Sequence, residues 1–453
     1  MIKSLVGKLT GASILQKAAR TTLYSILNFG SSQLIRLLGN LVLTRILYPE
    51  AFGVMALASL LLTALSQFSD IGVMTSIIRS KRGDDPVFLD SAWTLKVIRG
   101  GFLFLVACGL SIPMAAFYAQ PIYTQIIPVM AVSLVIQGFM PTNIDTAYRN
   151  MEMGRLTTLE ISNAFVNILV LIALCWSFQS VWGLAIGTAI APIVSYTIFR
   201  FFLPGRRNGF ALDRASLKEL LTFGVWIFPS TIATFIAMQA DKFLLGVYVS
   251  METLGIYNIG FFLASFPMML AQALGGRVMT AFYKNSPPAE SQENFKRIRK
   301  LKFVVYGGLS TSIIVLVLIG EWLIEFLYDD RYIMAGVILV SITSMHIVQI
   351  LQIPYQHAVL GLGKSREYFT LIAIKATSTV VCIWLGLEYF GLLGGIVAQG
   401  ISMLIAYPAS VFYAKKLKVW DPLYDAAVFI IAIIAVTLAW LLYSDKILTL
   451  IGY

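Results

Sequence analysis

Thirteen apolar runs of helical length constrain the fold of this chain more than any short motif does. Six precede residue 204, at about 22–47, 52–78, 94–117, 122–147, 157–178 and 181–203. Seven follow a polar link, at about 220–247, 255–282, 302–327, 332–360, 369–389, 392–414 and 425–443. A helix needs about 20 apolar residues to cross the roughly 30 Å hydrocarbon core of a bilayer. The sequence therefore predicts an all-α polytopic membrane protein with about thirteen transmembrane helices.

Composition excludes the other broad classes of protein. Only 13% of the residues are charged and 58% are hydrophobic, whereas soluble domains carry about 25% charged residues. Transmembrane strands would alternate apolar and polar residues in segments of about ten, and that pattern is absent. No Walker loop, GxSxG elbow, HExxH pair or Cys/His metal spacing occurs. We therefore expect a transporter rather than an enzyme, without a cofactor, driven by a proton or sodium gradient or by the membrane potential.

The basic residues predict an orientation. Lys and Arg number 34 and Asp and Glu 23, and 27 of the 34 fall in the N-terminal segment, in the even-numbered gaps between runs, or near the run ends that border those gaps. Because positive residues favour the cytoplasmic side, we expect a multi-pass membrane protein with a cytoplasmic N-terminus. This excess does not indicate nucleic acid. Residues 1–21 are expected to form an amphipathic helix on the cytoplasmic surface, or else a basic tail.

The two halves of the chain resemble each other. Glu50 and Gly53 after the first run match Glu252 and Gly255 after the seventh, at a shift of 202 residues. Later matches keep the same helix order with a slightly larger shift: Gly154 with Gly363, Gly183 with Gly394, and Tyr196 with Tyr407. Six spans per repeat is an even number, so both halves enter the membrane from the same side. The sequence therefore predicts a parallel repeat with a substrate site at its interface.

This repeat predicts a domain organisation. Two six-helix bundles are expected at 22–203 and 220–414, joined by a cytoplasmic linker at 204–219. Residues 415–453 would supply a cytoplasmic link and one extra transmembrane helix.

The first run carries a polar face. Asn28, Ser32, Arg36 and Asn40 recur at helical spacing along it. An arginine near the bilayer centre costs about 2.5–3.5 kcal/mol on insertion scales, so it normally faces a water-filled cavity or a partner. We expect Arg36 and Asn40 to contribute to a substrate site; the alternative is a purely structural pairing of Arg36.

The seventh run is the counterpart of the first in the repeat, and it is also polar. Asp241 and Lys242 are adjacent, so they project in different directions and each needs a further partner. Corresponding polar or interrupted spans in two repeats indicate a binding site. The alternative is that both side chains are solvated near the outer interface.

Other charges within or beside the runs are weaker signals. Arg277 and Lys375 lie close enough to the cytoplasmic ends of their runs for the side chains to reach water. Arg45 lies on the outer side, and Asp70 is near the end of a run, where caps and loop contacts are common.

Several motifs resemble a known family. The segment Leu43–Gly53 (LTRILYPEAFG) is similar to the signature after the first helix of bacterial polysaccharide exporters and O-antigen-type flippases. Phe68–Gly72 (FSDIG) is similar to the end of their second helix. Asp241–Gly246 (DKFLLG), followed by Leu254–Tyr257 (LGIY), resembles their seventh and eighth helices. These proteins belong to the multidrug/oligosaccharidyl-lipid/polysaccharide exporter superfamily.

The resemblance, which covers about residues 20–415, implies a fold and an activity. The fold would be two six-helix bundles, and the thirteenth run departs from both the twelve- and fourteen-helix versions. The activity would be flipping of an undecaprenyl-pyrophosphate-linked oligosaccharide across the inner membrane by a monomer. Membrane lipids would surround it, and a polysaccharide polymerase and a chain-length regulator are implied as partners.

The resemblance also implies roles for the candidate residues. A pyrophosphate carries about two negative charges, which arginine and lysine side chains bind well. We expect Arg36 and Lys242 to bind it, with Arg45, Arg277 and Lys375 as secondary contacts. Asp241, and less directly Asp70, would balance charge or couple transport to an ion.

Three alternatives remain open. A lipid II flippase has the same fold and cationic cavity, normally with fourteen helices. A drug/cation antiporter of the superfamily would carry buried carboxylates without surplus buried cations. A membrane polymerase, ligase or glycosyltransferase would usually need a large outer loop, which the spacing of the runs does not provide.

Overall fold

The computed structural model describes residues 14–452 of this chain. Within that range the side chains of 14–23, 25, 26, 222–228, 230, 274 and 277 are not described. The predictions for residues 1–13 and for the side chain of Arg277 therefore lie outside the described residues. The described part is helical and contains no strand, which confirms the predicted fold class.

Residues 14–452 contain seventeen α-helices. In the first half of the chain they are α1 Ile14–Ile46, α2 Pro49–Phe68, α3 Val73–Arg79, α4 Pro86–Phe117, α5 Tyr123–Gly138, α6 Asn143–Arg149, α7 Met153–Phe178 and α8 Val181–Phe202. In the second half they are α9 Arg214–Tyr248, α10 Met251–Ala264, α11 Phe266–Leu274, α12 Thr280–Asn285, α13 Gln292–Leu327, α14 Met334–Ile350, α15 Ile353–Gly361, α16 Ser365–Lys416 and α17 Pro422–Thr449. Each predicted apolar run lies mostly on helix. A π-helix at Gly275–Met279 joins α11 to α12, and short 3₁₀-helices occupy Asp330–Tyr332 and Leu450–Gly452.

Side-chain caps explain where several of these helices begin. Asp85 accepts a hydrogen bond from the Val87 amide at 3.0 Å at the start of α4, where Pro86 occupies the first turn. Ser250 and Ser291 cap α10 and α13 in the same way, through the third amide beyond the cap. Each cap satisfies one of the amides that a helix end leaves without a partner.

Eight helical stretches of the described part are long and apolar enough to cross a membrane. Two bent pairs, α5 with α6 at 58° and α10 with α11 at 46°, raise the number to ten. One of the eight, α16, contains the eleventh and twelfth predicted spans, separated by a sharp turn at Phe390 and Gly391. The number of thirteen spans stays a prediction.

Breaks divide several predicted spans. Four residues separate α2 from α3, and Gly72 among them has a φ of 68°, which glycine adopts without strain. Gly391 has a φ of 56° at the turn within α16. Pro267 lies in the first turn of α11, where a missing amide costs nothing. The breaks at Gly72 and before Pro267 place irregular backbone inside segments that periodicity alone predicts as continuous helices, whereas Gly391 lies between the predicted runs 369–389 and 392–414.

The chain forms two compact units. The first comprises residues up to Leu47 and Leu61–Phe228, and the second comprises Tyr48–Leu60 and Pro229 onward. The N-terminal part of α2 is thus packed within the second unit. The extra C-terminal helix, α17, is also part of the second unit, where it packs on α13 and α14. The bundle boundaries inferred from the repeat stay a prediction.

The matched glycines Gly53 and Gly255 contact each other within the second unit. A Cβ atom on Gly53 would overlap the carbonyl oxygen of Met251 and lie 2.7 Å from its carbonyl carbon. A Cβ atom on Gly255 would overlap the carbonyl oxygen of Pro49, again at 2.7 Å from the carbon. Pro49 and Met251 are themselves separated by the repeat shift, so this crossing of α2 and α10 is symmetric.

A second matched pair, Gly183 and Gly394, also occupies equivalent positions, since each lies where two helical segments of a hairpin approach closely. A Cβ atom on Gly183 would lie 2.7 Å from the Cα atom of Cys175, at the hairpin between α7 and α8. A Cβ atom on Gly394 would lie 2.6 Å from the carbonyl carbon of Gly386, at the turn of α16. In each hairpin the contacted residue lies eight positions earlier. These contacts require glycine for close backbone approach.

Candidate functional site

Arg36 projects from the side of α1 that faces away from its apolar surface. Leu34 and Leu38 are exposed on one side of the helix, and Arg36 lies about 160° away from each of them around the helix axis at about 100° per residue. Gly39, next to Arg36 on the inner side, is buried against Ile168 of α7. The Arg36 side chain is nevertheless exposed. This placement suits a cation that faces a water-accessible space rather than lipid.

The polar face of α1 meets a carboxylate that the sequence analysis did not single out. Asn28 Nδ2 donates to Glu160 Oε2 at 2.6 Å, and the Tyr148 hydroxyl donates to Glu160 Oε1 at 2.7 Å. Ser32 extends the contact by donating to Asn28 Oδ1 at 3.3 Å. Glu160 forms no ion pair with the described residues, so neutral donors alone hold its charge. A charged residue within the predicted fifth span was the signal that could have identified it.

The other predicted residues of the first unit are separate from this cluster. Arg45 is exposed near the end of α1, and Asn40 is half-buried on the same helix. Asp70 is exposed in the break between α2 and α3, where its Oδ1 accepts the Gly72 amide at 3.0 Å. Arg99 of α4 donates from Nε to Ser69 Oγ at 2.9 Å beside that break. Asp70 therefore stabilises a turn, and its coupling role stays a prediction.

In the second unit Asp241 is the centre of a buried hydrogen-bond chain. Asp241 is 5% exposed, and its Oδ2 accepts the Tyr257 hydroxyl at 2.6 Å. Gln399 Nε2 donates to the same hydroxyl at 3.0 Å. Asp241 Oδ1 has no hydrogen-bond partner among the described residues. These hydrogen bonds join α9, α10 and α16, which are far apart in the sequence.

Lys242 lies beside this chain on an aromatic surface. Its Nζ is 4.7 Å from the centre of the Phe261 ring, a distance that gives a cation–π attraction. Phe261 stacks on Tyr257 with ring centres 5.9 Å apart, and it contacts His346 edge-on at 6.2 Å. His346 Nδ1 is 3.1 Å from the Ala264 carbonyl oxygen. The structure thus brings Asp241 and Lys242 together with aromatic and imidazole groups that the sequence analysis had not linked to them.

The secondary cations are less well defined as a site. Lys375 is half-buried on α16. Arg277 lies on the π-helix, and the described residues do not include its side chain. Among the described residues there is no cluster of three or more His, Cys, Asp or Glu side chains that could hold a metal ion.

A second buried polar cluster holds α17 in place, and the sequence analysis missed it. Asp425 accepts the hydroxyls of Tyr355 and Tyr407, each at 2.6 Å. Lys302 is 1% exposed and lies over the Tyr355 ring at 4.7 Å. Asp421 binds Arg299 at 2.8 Å. Because every partner belongs to the second unit, this cluster makes the extra helix an integral part of that unit.

Comparison with known proteins places these features in a family. Residues 42–335 match the family model described as "Polysaccharide biosynthesis protein". The teichuronic acid biosynthesis protein TuaB of Bacillus subtilis is 20% identical over 288 residues, which are 61% of this chain and 57% of that protein. The succinoglycan biosynthesis transport protein ExoT of Rhizobium meliloti is 21% identical over 243 residues, 52% of this chain and 47% of that protein. The match thus spans about half the length of these relatives.

Solved structures share the fold. An inward-facing multidrug resistance transporter of the MATE family in the MOP superfamily superposes with a TM-score of 0.66 at 15% identity, covering 90% of this chain and 96% of that one. The lipid II flippase MurJ in an inward closed conformation gives a TM-score of 0.62 at 12% identity, covering 94% and 100%. These likenesses show the fold alone. The family model, which covers more than half of the residues, shows that this chain belongs to the polysaccharide biosynthesis proteins, a membrane family with the fold of MOP-superfamily transporters.

Proposed function

We propose that this chain flips an oligosaccharide linked to undecaprenyl pyrophosphate from the cytoplasmic to the outer leaflet of the bacterial inner membrane. It does so by alternating access, for the synthesis of exopolysaccharide, capsule or O-antigen. The observation that carries the proposal is the family match over residues 42–335. The names of the two curated relatives, which refer to teichuronic acid and succinoglycan, support a role in supplying a surface polymer.

The cations provide the recognition chemistry. Arg36 presents a planar guanidinium that can bind two phosphate oxygens, and Lys242 presents a compact ammonium. The Phe261 ring, whose centre is 4.7 Å from the Lys242 ammonium, attracts that ammonium by a cation–π interaction. Asn40 contributes an amide that suits a sugar hydroxyl, while Arg45, Arg277 and Lys375 act as secondary contacts for the head group.

Asp241 is the proposed coupling group. It is a buried carboxylate with one oxygen bound to Tyr257 and the other without a partner among the described residues. Such an oxygen can accept a proton or bind a sodium ion, and burial makes the charged and neutral forms differ strongly in energy. Glu160 offers a similar group in the first unit, held by neutral donors.

Reconstituted transport tests the proposal. Purified protein in liposomes would be given a fluorescent undecaprenyl-pyrophosphate oligosaccharide, and flipping would be followed by accessibility to a membrane-impermeant quencher. A hydrogen bond to a charged group contributes about 1.5–3 kcal/mol, so we expect Arg36→Ala and Lys242→Ala each to reduce the rate at least about tenfold. Arg297→Ala is the matched control, because that arginine is exposed and pairs only with Glu293 one helical turn away.

Each outcome leads to a different conclusion. Flipping by the unmodified protein that persists in both variants would retain the function and exclude the cationic site. Flipping of lipid II but not of the oligosaccharide lipid would reassign the substrate. Ion-driven efflux of a small organic cation, without lipid flipping, would favour a drug antiporter. Dependence of the rate on a proton or sodium gradient that Asp241→Asn abolishes would support the coupling role.

A further inference from the structure

The linker between α8 and α9 is fixed to the first unit. Residues 204–213, which we call the strap, follow the end of α8. The carboxylate of Asp90, which is 6% exposed, accepts a hydrogen bond from Arg206 Nη2 at 2.8 Å and another from the Gly209 amide at 3.0 Å. One buried acid therefore holds two points of the strap.

Further contacts hold the second half of the strap along α4. The Ala211 amide donates to Thr94 Oγ1 at 3.0 Å, and the Asp213 amide donates to Ser91 Oγ at 3.0 Å. These acceptors lie on the first turns of α4, together with Asp90. A linker that served only as a tether would be a flexible polar segment without such contacts. The backbone from which the strap's outward side chains project is therefore fixed.

The middle of the strap is anchored by a paired amide and an aromatic contact. The Thr142 amide donates to Asn208 Oδ1 at 3.1 Å, and Asn208 Nδ2 donates back to Thr142 Oγ1 at 2.8 Å. The Phe210 ring packs on Trp93, with ring centres 4.9 Å apart. Only part of Phe210 is used in this contact, since its side chain remains largely exposed.

The outward surface of the strap and of the adjoining end of α8 is strongly apolar. Four large side chains are more than half exposed: Phe201 at 75%, Phe202 at 58%, Phe210 at 71% and Leu212 at 57%. Large exposed aromatic groups are unfavourable in water but suit the headgroup level of a bilayer, where one side is apolar and the other is wet. This surface therefore fits a membrane interface.

Cations accompany the aromatic groups. Between residues 200 and 218 there are five basic residues and one acid: Arg200, Arg206, Arg207, Arg214 and Lys218, with Asp213. Arg207 and Arg214 are exposed and make no hydrogen bond or ion pair with the described residues. Clusters of basic residues next to a membrane-spanning helix attract anionic lipid headgroups.

We propose that the strap is a binding surface for an anionic phospholipid of the membrane leaflet that borders it. Arg207 and Arg214 contact the lipid phosphate, while Phe202 and Phe210 lie among the upper parts of the acyl chains. Asp90 acts as a positioning residue that holds the strap in its binding shape. This inference does not depend on which substrate the protein transports.

Native mass spectrometry of the full chain tests the surface directly. The protein is mixed with phosphatidylglycerol or with zwitterionic phosphatidylethanolamine, and the bound lipid is counted. A basic residue near an anionic surface contributes roughly a fivefold change in affinity, so Arg207→Ala with Arg214→Ala should lower retention of phosphatidylglycerol about 30-fold. Retention of phosphatidylethanolamine should not change. Arg366→Ala is the matched control, since Arg366 is also exposed and its side chain has no partner in the described part of the chain.

Hydrogen exchange locates the effect. Amides of residues 204–213 should exchange more slowly in nanodiscs that contain phosphatidylglycerol than in nanodiscs of phosphatidylethanolamine alone. Asp90→Asn keeps the exposed cations but loosens the strap, so it should weaken lipid retention and expose Arg207 to trypsin. If Asp90→Asn does not fold, the arginine variants still decide the matter, because they remove only unpartnered side chains.

Three results would overturn the proposal. Equal loss of phosphatidylglycerol in Arg366→Ala would show a general charge effect. Unchanged retention in the double arginine variant would show that the strap is not the surface. Displacement of the bound phospholipid by equimolar undecaprenyl pyrophosphate would assign the surface to the carrier lipid instead.

Discussion

The crossing of Gly53 and Gly255 gives the sharpest prediction. In Gly53→Ala the new methyl carbon would lie 2.7 Å from the carbonyl carbon of Met251. Two carbon atoms make their best contact at about 3.5–4.0 Å, so α2 and α10 must separate by roughly an ångström. The atoms that obstruct the methyl group are backbone, which cannot rotate away as a side chain can. The same reasoning applies to Gly255→Ala and Pro49.

The magnitude follows from the cost of overpacking. Extra methyl groups in a packed interior usually cost about 1–3 kcal/mol, and a backbone clash belongs at the upper end. For a unit of this size, each kcal/mol lowers the melting temperature by about 2–4 °C. We therefore expect each variant to melt about 6–12 °C below the unmodified protein. The measurement is thermal unfolding in detergent, followed by fluorescence-detected size-exclusion chromatography.

Glycines in open surroundings provide matched controls. Gly101 on α4 and Gly307 on α13 have no atom within 4 Å of a Cβ position. Gly101→Ala and Gly307→Ala should leave the melting temperature unchanged or raise it slightly, because alanine favours a helix by about 1 kcal/mol over glycine.

The double variant, Gly53→Ala with Gly255→Ala, tests whether the two glycines share one contact. Once one methyl group has separated the two helices, the second meets less resistance, so the combined loss should be clearly smaller than the two single losses added together. Melting temperatures of Gly53→Ala and Gly255→Ala that match those of the controls would refute the close crossing. Strictly additive losses would refute the shared, symmetric contact.

Three further predictions concern individual contacts. Lys302→Met should destabilise the second unit by about 3 kcal/mol, because Asp421 and Asp425 lose a buried cation. The measurement is the melting temperature, and an unchanged melting temperature would contradict this. Arg149→Lys should accelerate hydrogen exchange at the end of α3 and in the turn after it, since Arg149 Nη1 donates to three carbonyl groups there and an ammonium cannot reproduce that geometry. Unaltered exchange would show that these hydrogen bonds do not stabilise the turn. Hydrogen bonds from Ser216 hold the pKa of Asp213 below its ordinary value of 3.8, so their contribution to stability is present above that pH and is lost as the pH falls below it. Hydrogen exchange of the Ser216 amide, corrected for the intrinsic rate, should therefore rise only in that acidic range. A rise near neutral pH would contradict the assignment.

The sequence identified the helices because their signal is local. An apolar run must be helical in a bilayer, since lipid cannot satisfy exposed backbone groups, and run length alone reports a span. The breaks were less visible. Asp70 and Gly72 form a turn within a run whose composition stays apolar, and the π-helix at Gly275–Met279 has no distinctive residue pattern. Backbone irregularity at these points depends on neighbouring helices that provide hydrogen-bond partners.

The sequence also singled out individual charged residues within the spans, but not their partners. Arg36, Asp241 and Lys242 were visible because charge inside a span is costly and therefore rare. Helical spacing placed Arg36 on one face of α1, but it could not show that the same face meets Glu160 through Asn28.

Only the tertiary structure decided which groups meet. Gln399 donates to Tyr257 from 142 residues away in the chain, and Asp90 binds Arg206 across 116 residues. Periodicity records the direction in which a side chain points from its own helix, whereas a hydrogen bond depends on which helix packs opposite and at what height. The sequence by itself therefore determined a membrane protein of many helices with a few charges inside its spans. Packing of those helices decided how each charge is held, since an ion or amide in a low-dielectric interior is stable only beside partners that three-dimensional contact provides.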